Sequence, residues 1–187
     1  VSRVGACGAC LLAVALGCAA AIASAQEAVP GGLVDFELEE TSGATRTLRA
    51  VRGRVVILFY EDREHTDLNR DFKHLLHRFI LDNRLQDQTT TYAIANVRGV
   101  DGVMRDLARG VVRAVASRYG IRILLDWDGV LQRAPFSLRD GDANVALVDR
   151  TGRLRWRHTG VIGERERQSF FRMLRTLLRE PAPAPPP

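Results

Sequence analysis

From residue 33 onward the chain alternates between two kinds of apolar spacing. "LVDFELEE" (33–40) and "TRTLRAV" (45–51) flank the turn-rich Thr41-Ser42-Gly43-Ala44, which predicts a β-hairpin. "RVVILFY" (54–60) is an almost unbroken β-branched and aromatic run, the pattern of a central strand covered on both faces. The spacing then becomes helical. In "TDLNRDFKHLLHRFILDNRL" (66–85), Leu68, Phe72, Leu75, Leu76 and Phe79 fall on one face, with Thr66 placed to cap the first turn. "TTTYAIANV" (89–97) predicts a second strand. "GVMRDLARGVVRAVASRYG" (102–120) sets Val103, Leu107, Val111, Val115 and Tyr119 along one helical face, and Gly120 is a natural stop. A short strand and turn in "IRILLDWDG" (121–129) follow. "NVALVDRTGRLRWRHTG" (144–160) reads as two strands around Arg150-Thr151-Gly152. "GERERQSFFRMLRTLLRE" (163–180) reads as a last helix with Phe170, Leu174 and Leu177 inward. This order predicts an α/β fold with a parallel centre, an antiparallel edge from the late hairpin, and a further hairpin at the start.

The two ends depart from this pattern. "VSRVGACGACLLAVALGCAAAIASAQE" has one early cation, Arg3, then no charge until Glu27, and closes on the small-x-small Ala23-Ser24-Ala25. That is the layout of a secretory signal over residues 1–25, cut before Gln26. The apolar run just reaches the length of a membrane span, so a retained anchor is the alternative. A lipoprotein start at Cys18 is a third option, disfavoured by Leu16 where a small residue is usual. Residues 26–180 then form one domain, large enough for a substantial core, and "PAPAPPP" (181–187) forms an extended, solvated tail.

Composition changes the picture in one respect. All three cysteines, Cys7, Cys10 and Cys18, fall inside the predicted signal. "CGAC" (7–10) has the Cys-x-x-Cys spacing of thiol redox chemistry. A reactive thiolate needs a helix N-terminus or a nearby cation to stabilise it, and an apolar export segment offers neither. The exported chain is expected to contain no thiol. Its formal charge of +5 falls to +4 without Arg3, almost every cation is Arg (Lys73 is the sole Lys), and acids are interspersed. That predicts a mixed solvated surface, with no nucleic-acid partner and no stable membrane span in the mature chain.

The strand and helix order matches the thioredoxin layout with an N-terminal hairpin added: a central mixed sheet with flanking helices. "VALVDRTGRLRWRHTG" followed by an acidic helix start resembles the last ββα unit of redoxin proteins. More narrowly, "QTTTYAIANV", "LLDWDGVLQRA", "NVALVDRTGRLRW" and "GVIGERE" resemble the YtfJ family, bacterial envelope proteins of thioredoxin-like fold with no established activity. The resemblance spans residues 32–178 and is sharpest over 86–166. It implies a fold and a periplasmic or secreted location, with no catalytic residue and no cofactor. In a thioredoxin the redox pair follows the central strand. That stretch is Glu61-Asp62-Arg63-Glu64-His65-Thr66-Asp67 here, with charge in place of both cysteines. The cis-proline position before "VALVD" holds Ala143, after Gly141 and Asp142, and a trans peptide is expected there because a non-proline cis bond costs about 3 kcal/mol.

Three groups of residues could carry other chemistry. Glu61, Asp62, Glu64 and Asp67, with Arg63 and His65 among them, could act as general acid and base, or could solvate a strand end and favour a helix start. His74 and His77, with Asp71 and Asp67 on the same helix, could ligate a metal, or could form Asp–His and Asp–Arg pairs on a solvated face. Arg153, Arg155 and Arg157 alternate with Leu154, Trp156 and His158. They would send three guanidinium groups to one side of a strand, either for an anionic partner or to discourage edge pairing. No nucleophile elbow, P-loop or dinucleotide fingerprint is present. The expectation is a binding or accessory protein of the envelope, with an envelope protein or small ligand as partner. Its surface would lie at the C-terminal ends of the parallel strands: Glu61 to Asp67, Asn96, Arg98, and the Gly141–Asn144 loop with Asp142 and Ala143. An enzyme using Glu64, His65 and Asp67, with or without a metal, is the alternative; a thiol-disulfide oxidoreductase is the third.

Overall fold

A computed structural model describes residues 31–183. The predicted signal, all three cysteines and the end of the Pro-rich tail lie outside these residues. Seven strands form one sheet: β1 (Glu37–Glu40), β2 (Thr45–Thr47), β3 (Val55–Glu61), β4 (Thr89–Asn96), β5 (Ile123–Asp126), β6 (Asn144–Val148) and β7 (Leu154–Thr159). Their spatial order is β2-β1-β5-β4-β3-β6-β7. β3, β4 and β5 are parallel, whereas β1, β2, β6 and β7 pair antiparallel to their neighbours. Three helices flank the sheet: α1 (Arg70–Asp82), α2 (Val103–Tyr119) and α3 (Glu164–Arg179).

Every residue of β3 is buried, which explains its unbroken apolar run. Its side chains divide by period two. Val55, Ile57 and Phe59 enter a core with Phe72 and Leu76 of α1, Trp156 of β7, and Phe170, Leu174 and Leu177 of α3. Val56, Leu58 and Tyr60 enter a second core with Phe36, Leu48, Tyr92, Ile94, Leu131 and Phe136 on the opposite face. Phe72 and Phe170 meet edge to face at 4.9 Å, fastening α1 to α3.

The structure departs from the sequence reading in three places. α1 begins at Arg70 and not at Thr66, because residues 62–68 are held in successive turns. Asp62 Oδ1 accepts the backbone N–H groups of Glu64 (3.0 Å) and His65 (3.1 Å), and Leu68 N donates to His65 O. Thr66 caps nothing; its hydroxyl donates to Arg63 O. Second, the apolar stripe of α2 is exposed, and Ala116 is the one residue of this helix that is buried. Gly120 does end α2, in the left-handed conformation at φ 62°. Third, the strict alternation expected along β7 is broken by a bulge. Val148 pairs with Leu154 while the adjacent Leu147 pairs with Trp156, leaving Arg155 as the extra residue. Leu154 and Trp156 therefore enter opposite cores, and the three arginines do not form one face. Arg155 forks onto Glu180 and also bonds Asp149, Arg153 reaches Gly31 O, and Arg157 reaches Phe136 O. These contacts tie the edge strand to the rest of the fold.

Candidate functional site

The C-terminal ends of β3 and β4, with the loop before β6 and the loop after β7, meet at one end of the sheet. β3 delivers Glu61 with its side chain buried, and Lys73 from the first turn of α1 reaches it at 2.5 Å. Lys73 also donates to Thr66 O, so one ammonium holds the strand end and the turn together. The second Glu61 oxygen, Oε1, is buried without a hydrogen-bond partner. Burial pushes the Glu61 carboxyl above its usual range, and Lys73 opposes that rise only in part.

Past Glu61 the chain carries a tight Asp–His pair. His65 Nδ1 lies 2.6 Å from Asp62 Oδ1. The hydrogen bond to Asp62 raises the His65 pKa, with Asp142 and Glu64 adding negative potential. Asp142 Oδ1 lies against Gly160, about 4.0 Å from where a Cβ there would stand, next to the carbonyl that Asn69 holds at the start of α1. Arg63, Glu64 and Asp67 point to solvent, and Asp67 pairs with Arg70 at 2.7 Å. The Arg70 hydrogen bond holds the Asp67 carboxyl below its usual range.

Two buried asparagines assemble the loops. Asn69 Nδ2 donates to Gly160 O and Asn69 Oδ1 accepts from Ile162 N, clamping the β7–α3 loop onto the start of α1. Asn144 Nδ2 donates to Arg139 O and Asp142 O, while its Oδ1 accepts from Arg139 N and the Thr159 hydroxyl. The loop ahead of β6 is set by these bonds. Ala143 is fully buried within it: its N–H donates to Asp142 Oδ1 and its carbonyl accepts from Gly160 N. The Asp142–Ala143 peptide is trans; among the described residues the cis bond is Ala134–Pro135.

Asn96 and Arg98 belong to a separate network on the far side of that loop. Asn96 Nδ2 donates to Asp140 Oδ1 at 2.6 Å, Gln132 Nε2 donates to the Tyr60 hydroxyl at 2.8 Å, and Arg98 Nη1 donates to Gln132 Oε1 at 2.6 Å. Arg98 packs so close to Gly129 that a Cβ there would sit 2.9 Å from Arg98 Cδ. The predicted set is therefore two clusters, joined by a loop that gives Asp140 to one and Asp142 to the other.

Next to the first cluster is an open cavity of about 390 Å³ lined by Asp67, Leu68, Arg70, Phe72, Val161 and Ile162, among others. Leu68 and Val161 are exposed at its rim. The arrangement offers carboxylates beside a pocket of mixed polar and apolar lining where the turns after β3 lead into α1. The metal candidates fall elsewhere. His74, His77 and Asp71 are exposed on α1, and Asp67 lies in the turn before the helix and not on its face. Among the described residues no three His, Asp or Glu side chains converge as a metal would require.

Lys73, Asn69, Val161 and Ile162 were not singled out from the sequence as site residues, and Leu68 was expected on the buried face of the helix. Lys73 carried a signal, as the sole lysine of an arginine-rich chain. Asn69 carried none, because its role depends on partners 91 and 93 positions away.

Comparison with known proteins defines the class. The fold is thioredoxin-like. The chain is similar to a thiol-disulfide isomerase from Corynebacterium glutamicum (TM-score 0.58, 16% identity, 81% of this chain and 98% of that one). It is also similar to the exposed lipoprotein thioredoxin Etrx1 of Streptococcus pneumoniae (TM-score 0.56, 19% identity, 77% and 100%) and to a DsbF homologue from Corynebacterium diphtheriae (TM-score 0.56, 13% identity, 78% and 85%). No family model and no curated protein matches the sequence.

Proposed function

We propose that this is a YtfJ-like envelope protein, periplasmic or secreted, that uses the thioredoxin-type strand-end surface to bind a partner without thiol chemistry. The observation that supports this reading is the surface itself. The stretch Glu61 to Asp67 after β3 carries charge in place of cysteines, residues 31–183 contain no cysteine, and a cavity of mixed lining, with Leu68, Phe72, Val161 and Ile162 beside Asp67, Asn69, Arg70 and Asp71, opens next to it. Asp62, Glu64, Asp67 and Asp142 with Leu68 and Val161 suit a protein segment that presents cationic and apolar side chains together. Crosslinking in intact cells followed by mass spectrometry tests this reading. Alanine at Asp62, Asp67 and Asp142 should remove the captured partner, and an unchanged crosslink pattern would refute the surface.

The 2.6 Å Asp62–His65 contact favours a second reading, acid–base catalysis, because a carboxylate-oriented imidazole is a general-base arrangement. Stoichiometric metal that is lost on substitution of His74 and His77 would support the metal-dependent form of that alternative. Reduction of insulin by the purified protein would favour a thiol-disulfide oxidoreductase.

A further inference from the structure

We infer that the exposed face of α2 is a membrane-surface element that lies in the headgroup region of an anionic bilayer.

Val103, Met104, Leu107, Val111, Val115 and Tyr119 run along α2 with exposures between 41% and 87%. This face is not a misdirected core stripe, because the opposite side of the helix is already bonded to the sheet. Arg109 forks onto Glu39 at 2.9 and 3.2 Å, and Arg113 Nε donates to Thr41 O at 2.8 Å. Arg105 and Arg109 both lie over the Trp127 ring, whose Nε1 also donates to Glu39. Turning α2 to bury the stripe would strip Glu39 of both Arg109 donors and leave a half-buried carboxylate without its cation. The helix is anchored by its arginines, so the apolar side faces outward.

Charge selects the occupant. On and beside α2, Arg105 and Arg109 are met by Asp101, Asp106, Asp128 and Glu39, so the net positive charge of this face comes from Arg113, Arg118 and Arg122. Asp101 and Asp106 are engaged by Arg105 and Arg109. Among the described residues neither Arg118 nor Arg122 has an acidic partner, and Arg118 stacks over the ring of Tyr119 within the exposed face. A second copy docking here would bring two cationic surfaces together. Its contact would also be small: a helix about 25 Å long and about 10 Å wide offers roughly 250 Å² against the roughly 800 Å² per partner of a stable pair. A bilayer needs no such minimum, since each apolar side chain inserts separately beneath headgroups that attract the arginines.

Hydrogen exchange on the full chain, followed peptide by peptide, tests this with phosphatidylglycerol and phosphatidylcholine vesicles. Phosphatidylglycerol should slow exchange across 103–119, while phosphatidylcholine should not. Leu107→Glu with Val111→Glu should weaken the protection roughly a hundredfold in apparent affinity, about tenfold per side chain. Arg118→Gln with Arg122→Gln should cost about fivefold per arginine. Exchange of α3 should be unchanged in both variants, which reports that the fold is intact. The inference is overturned if phosphatidylglycerol leaves α2 exchange unchanged. It is overturned equally if protection instead rises with protein concentration in the absence of vesicles, which would assign the face to a second copy.

Discussion

Lys73→Met would leave the Glu61 carboxylate in the sheet end with no cation beside it, and would also remove the ammonium that stands 5.4 Å over the Phe59 ring, while keeping a side chain of similar length. Breaking a fully buried pair costs about 3–5 kcal/mol. The Glu61 side chain is only 8% exposed but Lys73 retains 29%, so water screens part of the interaction and the expected loss is about 2 kcal/mol at pH 7.5. For a domain of this size that lowers Tm by about 4–8 °C. The sign with pH follows from the direction of the Glu61 shift. Burial already raises the folded-state pKa above the ordinary carboxyl value, and removing Lys73 raises it further. As pH falls through the raised value the folded protein takes up the proton before the unfolded chain does, so the penalty shrinks. Urea unfolding at pH 7.5 and pH 5 should therefore show a smaller destabilisation at the lower pH. Adding Glu61→Gln to the Lys73→Met variant should recover most of the loss at pH 7.5. Equal destabilisation at both pH values, with no rescue by Gln, would show that Lys73 acts through packing and its bond to Thr66 O and not through the buried charge.

Other expected outcomes follow from the same geometry. Asp62→Asn should return the His65 pKa toward about 6.5, read by NMR titration of the ring protons, since the Asp62 hydrogen bond is the main cause of its rise. In the wild type His65 binds its proton more tightly when folded, so its contribution is present at low pH and lost as pH rises through the folded-state pKa. Asn69→Ala removes two hydrogen bonds from a buried clamp and should cost about 2 kcal/mol, with faster hydrogen exchange at the Ile162 amide, which loses its acceptor. Phe170→Ala empties the junction of α1, β7 and α3 and should cost about 3–5 kcal/mol in denaturant unfolding.

The architecture was legible wherever a local pattern has one physical solution. The run at 54–60 could only be covered on both faces, and "VALVD" with its following hairpin could only close the sheet. The failures lie where tertiary bonds override a local pattern. Nothing near Thr66 announces that Asp62 will capture two backbone N–H groups and delay α1 by a turn. In α2, helical spacing located the apolar stripe, but the direction it faces is decided by Glu39 and Trp127, which lie far off in sequence. The bulge at Arg155 is decided by Asp149 and Glu180. At the site, the acidic loop was visible as charge where cysteine would stand, whereas its partition into two clusters depends on which side of one loop Asp140 and Asp142 fall.

The proposed thiol-independent role is tested most directly by capturing the partner with a chain in which Cys7, Cys10 and Cys18 are all serine. Crosslinked species at the wild-type yield are the predicted result. Their disappearance from the serine chain, with export and abundance unchanged, would contradict it and return the protein to disulfide chemistry.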